Sequence, residues 1–211
     1  MGISQMLMKL AEGMATSCWI FGITLLFSLP LGMVIAFGRM SKKRIVQGIT
    51  KIYISIMRGT PLMLQLMVVY FGPYYLFGIK ISPFYRNIAV VIGFVLNYAA
   101  YFAEIYRSGI ESMPVGQYEA AEILGYSKSQ TFLHIILPQV IKRILPSVTN
   151  EVITLVKDTS LAFVIAVSEM FTIAKHWHLH RPVWFRMWQP VFSTMYLIFW
   201  LHGSWRRSRS I

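Results

Sequence analysis

Charged and hydroxyl side chains interrupt an apolar run in the second half of this chain, at about 144–167. Each ionisable group at membrane depth costs about 2.5–3.5 kcal/mol on insertion scales, so such groups are tolerated where they face a cavity or one another. A cation beside an anion and two hydroxyls, all inside an apolar layer, therefore indicates a polar pathway. Its candidate residues are Asn150, Glu151, Lys157, Asp158, Thr159 and Ser160, supported by Arg58 from an earlier run.

Metal binding and catalysis have weaker support in the sequence. His176, His178 and His180 alternate as zinc ligands on an extended strand could, but no carboxylate or cysteine stands nearby to complete the shell. Ser160 beside Asp158 is better explained as pathway lining than as part of a catalytic triad. No G-x-x-x-x-G-K-[ST] sequence occurs to cradle a phosphate. We therefore expect no enzyme, no metal site and no cofactor held by this chain.

The composition indicates that the pathway lies in an all-α integral membrane protein. Of the 211 residues, 56% are hydrophobic and 13% are charged, whereas about a quarter are charged in soluble domains. In a soluble chain, a net charge of +12 would suggest that the partner is a nucleic acid. Here, however, the Lys and Arg residues fall mainly between the apolar runs. Membrane lipid is the expected surrounding, and nucleic acid is not an expected partner. The single cysteine, Cys18, can form no internal disulfide.

Four apolar runs predict membrane spans, because a helix needs about 20 residues to cross roughly 30 Å of hydrocarbon. Pro30 should kink the first span rather than end it, and the sequence RGTPL at 58–62 interrupts the second. With one further span near the end, about five are expected. The four runs lie at about 15–37, 52–76, 87–106 and 144–167.

The basic residues predict the orientation of these spans. Segment 39–51 holds five Lys and Arg residues and segment 107–143 holds four, whereas 72–88 holds two. Cytoplasmic loops carry an excess of Lys and Arg. We therefore predict that the N-terminus lies outside and that both basic segments are cytoplasmic.

The polar stretch EAAEILGYSKSQTFLHIILP, at 119–138, stands out in this apolar chain. The small side chains of its two alanines let another surface approach closely, and the Glu119 carboxylate can pair with an arginine or lysine of a partner protein. Gly125 permits a left-handed turn that ends a first helix. Ser127 and Gln130 form the capping box of a second. The stretch is predicted to form two short cytoplasmic helices joined by a sharp corner.

The same stretch resembles the EAA loop of binding-protein-dependent ABC importer permeases. Glu-Ala-Ala at 119–121, Gly125 and Ile-x-Leu-Pro at 135–138 match every fixed position of that motif. RGTPLMLQL at 58–66 and LVKDTSLAFVI at 155–165 look like the polar amino-acid branch of the family, as does AEIYRSGIESMPVGQYEAA. The resemblance covers roughly residues 12–175.

The resemblance implies a type I importer permease of about five transmembrane helices, with a permease domain at 1–175 and a cytoplasmic coupling loop at 111–138. It implies a multi-pass protein of the bacterial inner membrane that pairs with a second permease copy or a paralogue. ABC ATPase subunits would bind ATP and Mg²⁺, and an extracellular or periplasmic binding protein would deliver polar amino acids. The residues that dock on the ATPase would be Met113, Pro114, Tyr118, Glu119, Ala120, Ala121 and Gly125.

For a zwitterionic solute, the pathway residues offer a cation for the carboxylate and an acid for the ammonium group. One hypothesis is that Lys157 and Asp158 pair across an unwound turn and exchange partners when the solute enters. The other is that they form a structural ion pair which holds the helix break. Two other functions stay open as alternatives, namely a membrane scaffold or assembly protein without a pathway, and a passive amino-acid channel.

Residues 176–211 differ from the rest of the chain, since they hold five of the six tryptophans, four of the five histidines and no acid. The resembled family closes on an apolar helix with a short charged tail. Back-translation of 183–207 with favourable codons gives such a span in a shifted frame. We interpret this atypical segment either as the product of a one-nucleotide insertion near 175–181 or as native sequence with a last span at 187–201.

Overall fold

A computed structural model describes the backbone of residues 3–178, and in this range the chain is helical with no strand. The chain divides into two compact units. The larger is Gly22–Val152, and the smaller combines Met1–Phe21 with Ile153–Ile211. The predicted span at 187–201, the shifted-frame segment and His180 lie outside the described residues.

The first helix, α1 (Ile3–Arg39), contains the predicted run 15–37 and continues through Pro30. Its Gly32 lies against α4 (Pro83–Glu111), where an added Cβ would come within 2.8 Å of the Phe102 Cβ and 3.1 Å of the Ala99 carbonyl oxygen. The absence of a side chain at this position therefore sets how closely the two helices approach.

The interruption predicted at RGTPL within the run 52–76 is confirmed. The structure has α2 (Arg44–Gly59) and α3 (Leu62–Phe77), bent by 110° at a short break. The cause is local, because Pro61 pushes the residue before it out of the helical region. Thr60 is accordingly extended, at φ −120° and ψ 146°.

Helix α4 begins at Pro83 after an N-cap, Ser82, whose hydroxyl accepts from the Tyr85 amide at 3.2 Å. It contains the predicted run 87–106 and is the buried centre of the larger unit, with α2 and α3 packed against it. Within residues 3–178, α1 and α4 are long and apolar enough to cross a membrane, and α2 with α3 would make a third span if the bent pair counts as one. The expected total of about five remains a prediction.

After α4 the chain forms α5 (Val115–Ile123) and the three-residue α6 (Lys128–Gln130). A π-helical turn, Thr131–Ile136, leads into α7 (Leu137–Asp158), and a 3₁₀ segment, Thr159–Ile165, follows. The predicted run 144–167 is therefore no uniform α-helix, since it changes type after Asp158.

The smaller unit includes α8 (Met170–His178), whose N-terminus is capped by a buried acid. The Glu169 carboxylate, 1% exposed, accepts from the backbone N–H groups of Phe171 and Thr172, both at 2.6 Å. The Ser17 hydroxyl accepts from the Met170 N–H at 3.4 Å. These contacts satisfy amide groups that have no partner within a helix, and they attach the start of α8 to α1.

Candidate functional site

The polar stretch forms an elbow, which we define as residues 112–140. Gly125 has φ +80°, the left-handed conformation that an L side chain resists. Its N–H donates to the Glu122 carbonyl at 3.0 Å, and the Tyr126 N–H donates to the Ala121 carbonyl at 3.0 Å. These bonds close the end of α5, so the corner predicted at Gly125 is confirmed.

The helix after the corner starts with the predicted capping box. The Ser127 hydroxyl accepts from the Gln130 N–H at 3.3 Å, and the Gln130 side-chain oxygen accepts from the Ser127 N–H at 2.9 Å. The prediction of a short second helix is wrong, however. Helical structure continues from Lys128 to Asp158, because the π-helical turn joins α6 to α7 without a break.

Pro114 occupies the N-cap of α5 with ψ 137°, so the helix starts one residue later, at Val115. Its backbone carbonyl accepts the first bond, from the Gln117 N–H at 3.1 Å. Its ring suits this place because proline has no N–H to leave unpaired.

Two of the residues expected to face an ATPase point inward. Met113 is 7% exposed and forms a buried cluster with Ile136 and Val140, and Ala121 is 1% exposed. Met113 therefore packs inside the elbow, and Ala121 lies on the buried side of α5. The other expected docking residues are exposed, namely Pro114, Tyr118, Glu119, Ala120 and Gly125.

The exposed face of α5 is more apolar than the sequence reasoning anticipated. Val115, Ile123 and Leu124 are 70%, 87% and 72% exposed. Ile123 and its neighbour Leu124, the C-cap of α5, are adjacent in the chain, and an exposed apolar patch indicates a surface that another molecule covers. The sequence did contain a signal for this surface, namely apolar residues among the acids of a helix that was predicted to be cytoplasmic.

Polar contacts tie the start of the elbow to α7 and hold its two arms together. Arg143 of α7 donates to the Ser112 carbonyl at 2.5 Å and to its hydroxyl at 3.0 Å. The Gln139 side chain donates to the Gln117 side chain at 3.2 Å. One turn back on α4, Arg107 forms ion pairs with Glu104 and Glu111.

A second polar cluster lies at the break between α2 and α3, and sequence reasoning found only Arg58 of it. Asn97, 4% exposed, donates to the Gln65 side chain at 2.9 Å and to the Met57 carbonyl at 3.2 Å. Gln65 also donates to the Thr60 hydroxyl at 2.8 Å. This network satisfies carbonyls that the break frees, which buried backbone requires.

Two aromatic side chains complete the attachment of the break to α4. The exposed Arg58 guanidinium lies over the Tyr101 ring, 5.3 Å from its centroid, a cation–π contact. The Tyr53 hydroxyl donates to the Leu96 carbonyl at 2.5 Å. An amide in each of two apolar runs, Gln65 and Asn97, was the signal that could have found this cluster.

The predicted unwound turn at 157–160 coincides with the change from α7 to the 3₁₀ segment. Lys157 is exposed, and Asp158 and Ser160 are half-buried. The Ser160 hydroxyl donates to the Lys157 carbonyl at 2.7 Å. Thr159 is only 4% exposed, and its hydroxyl donates to the Val156 carbonyl at 2.8 Å.

The predicted pathway residues fall in both units of the structure. Arg58, Asn150 and Glu151 belong to the larger unit, and 157–160 belong to the smaller one. Asn150 is exposed, Glu151 is half-buried, and both interact with other groups. The pathway set, including the pairing of Lys157 with Asp158, stays a prediction. Among the side chains that the structure describes, which exclude those of 176–178, no three from His, Cys, Asp or Glu converge as metal ligands would.

Comparison with known families decides what this architecture is. The family described as "Binding-protein-dependent transport system inner membrane component" matches residues 28–204. The chain belongs to this family. It is thus a membrane component of a transport system and not an enzyme. The matched range includes most of the segment 176–211 that we describe as atypical.

Several relatives are named as amino-acid permeases. A putative glutamine transport system permease of Rickettsia bellii is 40% identical over 158 residues, which are 75% of this chain and 71% of the relative. An L-cystine permease of Bacillus subtilis is 40% identical over 174 residues, 80% and 72% of the two chains. An arginine permease of Bacillus subtilis is 40% identical over 159 residues, 75% and 71%.

Solved structures support the same fold. A crystal structure of an amino acid ABC transporter with histidines is 28% identical, covers 99% of this chain and 94% of its own, and has a TM-score of 0.80. An inward-facing methionine ABC transporter has a TM-score of 0.70 over 98% of this chain and 97% of its own, at 16% identity, and so shows the fold alone.

Proposed function

We propose that this family member is the membrane-spanning subunit of an ATP-driven importer for polar amino acids. A separate binding protein outside the cell delivers the solute, and two permease subunits, identical or paralogous, enclose the pathway. The chain lies in the bacterial inner membrane with its N-terminus outside. Partner ATPase subunits bind ATP and Mg²⁺, since this chain has no Walker-type phosphate loop.

The main structural support for this proposal is the geometry of the elbow. Its corner is locked by Gly125 at φ +80° and by the box of Ser127 and Gln130, while α5 presents acids and apolar side chains to the outside. A stiff element with an exposed apolar and acidic face suits docking on a separate protein. Arg or Lys of that partner can pair with Glu119.

The elbow can pass movement to the membrane helices because it is fixed to two of them. Met113 packs on Ile136 and Val140, and Gly109 of α4 lies against Ile144 of α7, close enough for a Cβ added at Gly109 to clash. Packed interiors transmit displacement since they compress little. Closure of the ATPase would therefore shift α4 and α7 together and change access to the polar pathway.

Two adjacent alanines give a sharp test of docking. In a Cys18→Ser background, Ala120→Cys places a thiol on the exposed face of α5, whereas Ala121→Cys places it on the buried face. We expect thiol crosslinking in intact cells to join the first variant, and not the second, to an ATPase subunit. Failure of Ala120→Cys to recover any nucleotide-hydrolysing protein would contradict the proposal.

Transport itself distinguishes the alternatives. Proteoliposomes with the permease, its ATPase and its binding protein should accumulate one of a panel of labelled amino acids, beginning with glutamine, cystine and arginine. Uptake is expected to require ATP and both partners. Uptake without them would indicate a passive channel, and no uptake from an assembled complex would favour a scaffold.

A further inference from the structure

The connection between α1 and α2 carries a cluster of exposed cations. Lys42, Lys43, Arg44 and Lys51 form what we call the basic patch, and all four are exposed. No acid occurs between Glu12 and Glu104 in the sequence. In the described part of the chain, none of the four forms an ion pair with a carboxylate.

Their neighbour Arg39 is different and is excluded from the patch. It is half-buried and close enough to Glu104 of α4 for the two charges to interact. The patch cations have no such acid, so their charge is available to a ligand outside the chain.

An apolar row runs beside the patch along α2. Ile45, Ile49 and Ile52 are 78%, 64% and 61% exposed, and their spacing of three or four residues places them on one face of the helix. Arg44 and Lys51, seven residues apart, share a separate face. They are about 10 Å apart along the axis, at 1.5 Å per residue.

The third face of α2 is occupied by the protein itself. Thr50 lies against α1, where a Cβ added at Gly38 would come within 2.8 Å of its methyl carbon. Ile54 is 6% exposed, and the Tyr53 hydroxyl bonds to α4. Packing thus fixes the rotation of α2, and this rotation leaves the isoleucine row and the basic patch both facing outward.

We propose that the basic patch binds the phosphate headgroups of anionic phospholipids, while the isoleucine row enters the acyl layer. A helix with adjacent apolar and cationic faces suits the membrane interface, and basic clusters beside a membrane span attract anionic lipid. Nucleic acid or an acidic protein would satisfy the cations but would leave three exposed isoleucines in water. The assignment concerns lipid and is independent of the transported solute.

The test uses the full chain purified in a neutral detergent and titrated with phosphatidylglycerol or phosphatidylcholine, with retained lipid counted by native mass spectrometry. The variant is Lys42→Gln/Lys43→Gln/Lys51→Gln. A cation near an anionic surface contributes about 1 kcal/mol, or about fivefold in affinity. We expect phosphatidylglycerol binding to weaken on the order of a hundredfold, with phosphatidylcholine unchanged.

The matched control is Lys9→Gln/Lys80→Gln/Lys142→Gln, which removes the same charge from exposed lysines outside the patch. It should bind phosphatidylglycerol as the wild type does, and both variants should unfold at the wild-type temperature. Equal loss in the two variants would show an effect of net charge alone and overturn the proposal. Unchanged binding in the patch variant would overturn it too, as would displacement of the lipid from the patch by the ATPase subunit.

Discussion

Arg143 of α7 donates to the backbone carbonyl of Ser112, the C-cap of α4, at 2.5 Å. A helix leaves its last carbonyls without intrahelical partners and concentrates negative partial charge there. A guanidinium is well suited to such a site, since it is always charged and donates several bonds. This contact joins the two helices at the point where the elbow begins.

Arg143→Ala should weaken the coupling between ATP hydrolysis and transport. Loss of a charged hydrogen bond costs about 1.5–3 kcal/mol, and the elbow then moves without carrying α4 and α7 together. We expect at least a severalfold fall in solute transported per ATP hydrolysed, with partial recovery in Arg143→Lys. The exposed neighbour provides the control, because Lys142→Ala removes the same charge and should keep the wild-type ratio. An unchanged ratio in Arg143→Ala would refute a positioning role.

Gly125→Ala should strain the corner of the elbow. The added Cβ meets no other atom within 4 Å, so the cost comes from the backbone at φ +80° and amounts to about 1–2 kcal/mol. We expect weaker crosslinking of α5 to the ATPase. Gly116→Ala is the matched control, since it also enters open space but lies within α5, where alanine is favoured. Equal crosslinking in both variants would argue against a locked corner.

Gly32→Val should destabilise the packing of α1 on α4. Its Cβ would lie 2.8 Å from that of Phe102, and the helix backbone must shift to relieve the clash. Overpacking of this kind costs typically about 1–3 kcal/mol. Thermal unfolding in detergent, followed by size-exclusion chromatography, measures the loss. Gly22→Val in the same helix meets nothing within 4 Å and should unfold close to the wild type. A comparable loss there would show that the effect does not depend on the contact with α4.

Asn97→Leu should loosen the break between α2 and α3. It removes the donor to Gln65 and to the Met57 carbonyl, and unsatisfied buried groups cost about 1–3 kcal/mol. The double variant Gln65→Leu/Asn97→Leu should be less destabilised than the sum of the two single variants, because the two amides satisfy each other. Additive losses in thermal unfolding would show that the amides act independently.

Asp158→Asn should raise the KM for uptake by roughly tenfold or more if the carboxylate binds the solute ammonium group, since charged hydrogen bonds contribute about 1.5–3 kcal/mol. Thr159→Val is the companion variant. Its hydroxyl is buried and bonded within its own helix, so we expect lower stability with little change in KM. Wild-type uptake kinetics in an assembled Asp158→Asn protein would favour the structural ion pair.

Local features of this protein were predictable because residues close in sequence decide them. The left-handed turn at Gly125 and the box of Ser127 and Gln130 depend on neighbours within one helical turn. The change of helix type after Asp158 likewise falls within the predicted polar turn. The interruption at Thr60 follows from the proline after it, although its size, 110°, was not anticipated.

Contacts between residues far apart in the chain could not be predicted from the sequence. Gln65 meets Asn97 across 32 positions of sequence, and Arg143 meets Ser112 across 31. An amide inside an apolar run, or a polar residue between two runs, does not by itself identify its partner. Only the packing of α2, α3 and α7 against α4 brings them together.

The sequence by itself determined the membrane class, the family motif and the elbow's corner, because hydropathy, motif spacing and short-range hydrogen bonds are properties of the chain. Tertiary structure alone decided that Met113 and Ala121 face inward while Ile123 and Leu124 face outward. The physical reason is that burial depends on what the neighbouring helices cover. The sequence shows which side chains are apolar and favour burial, and the packing of the helices determines which of them are buried.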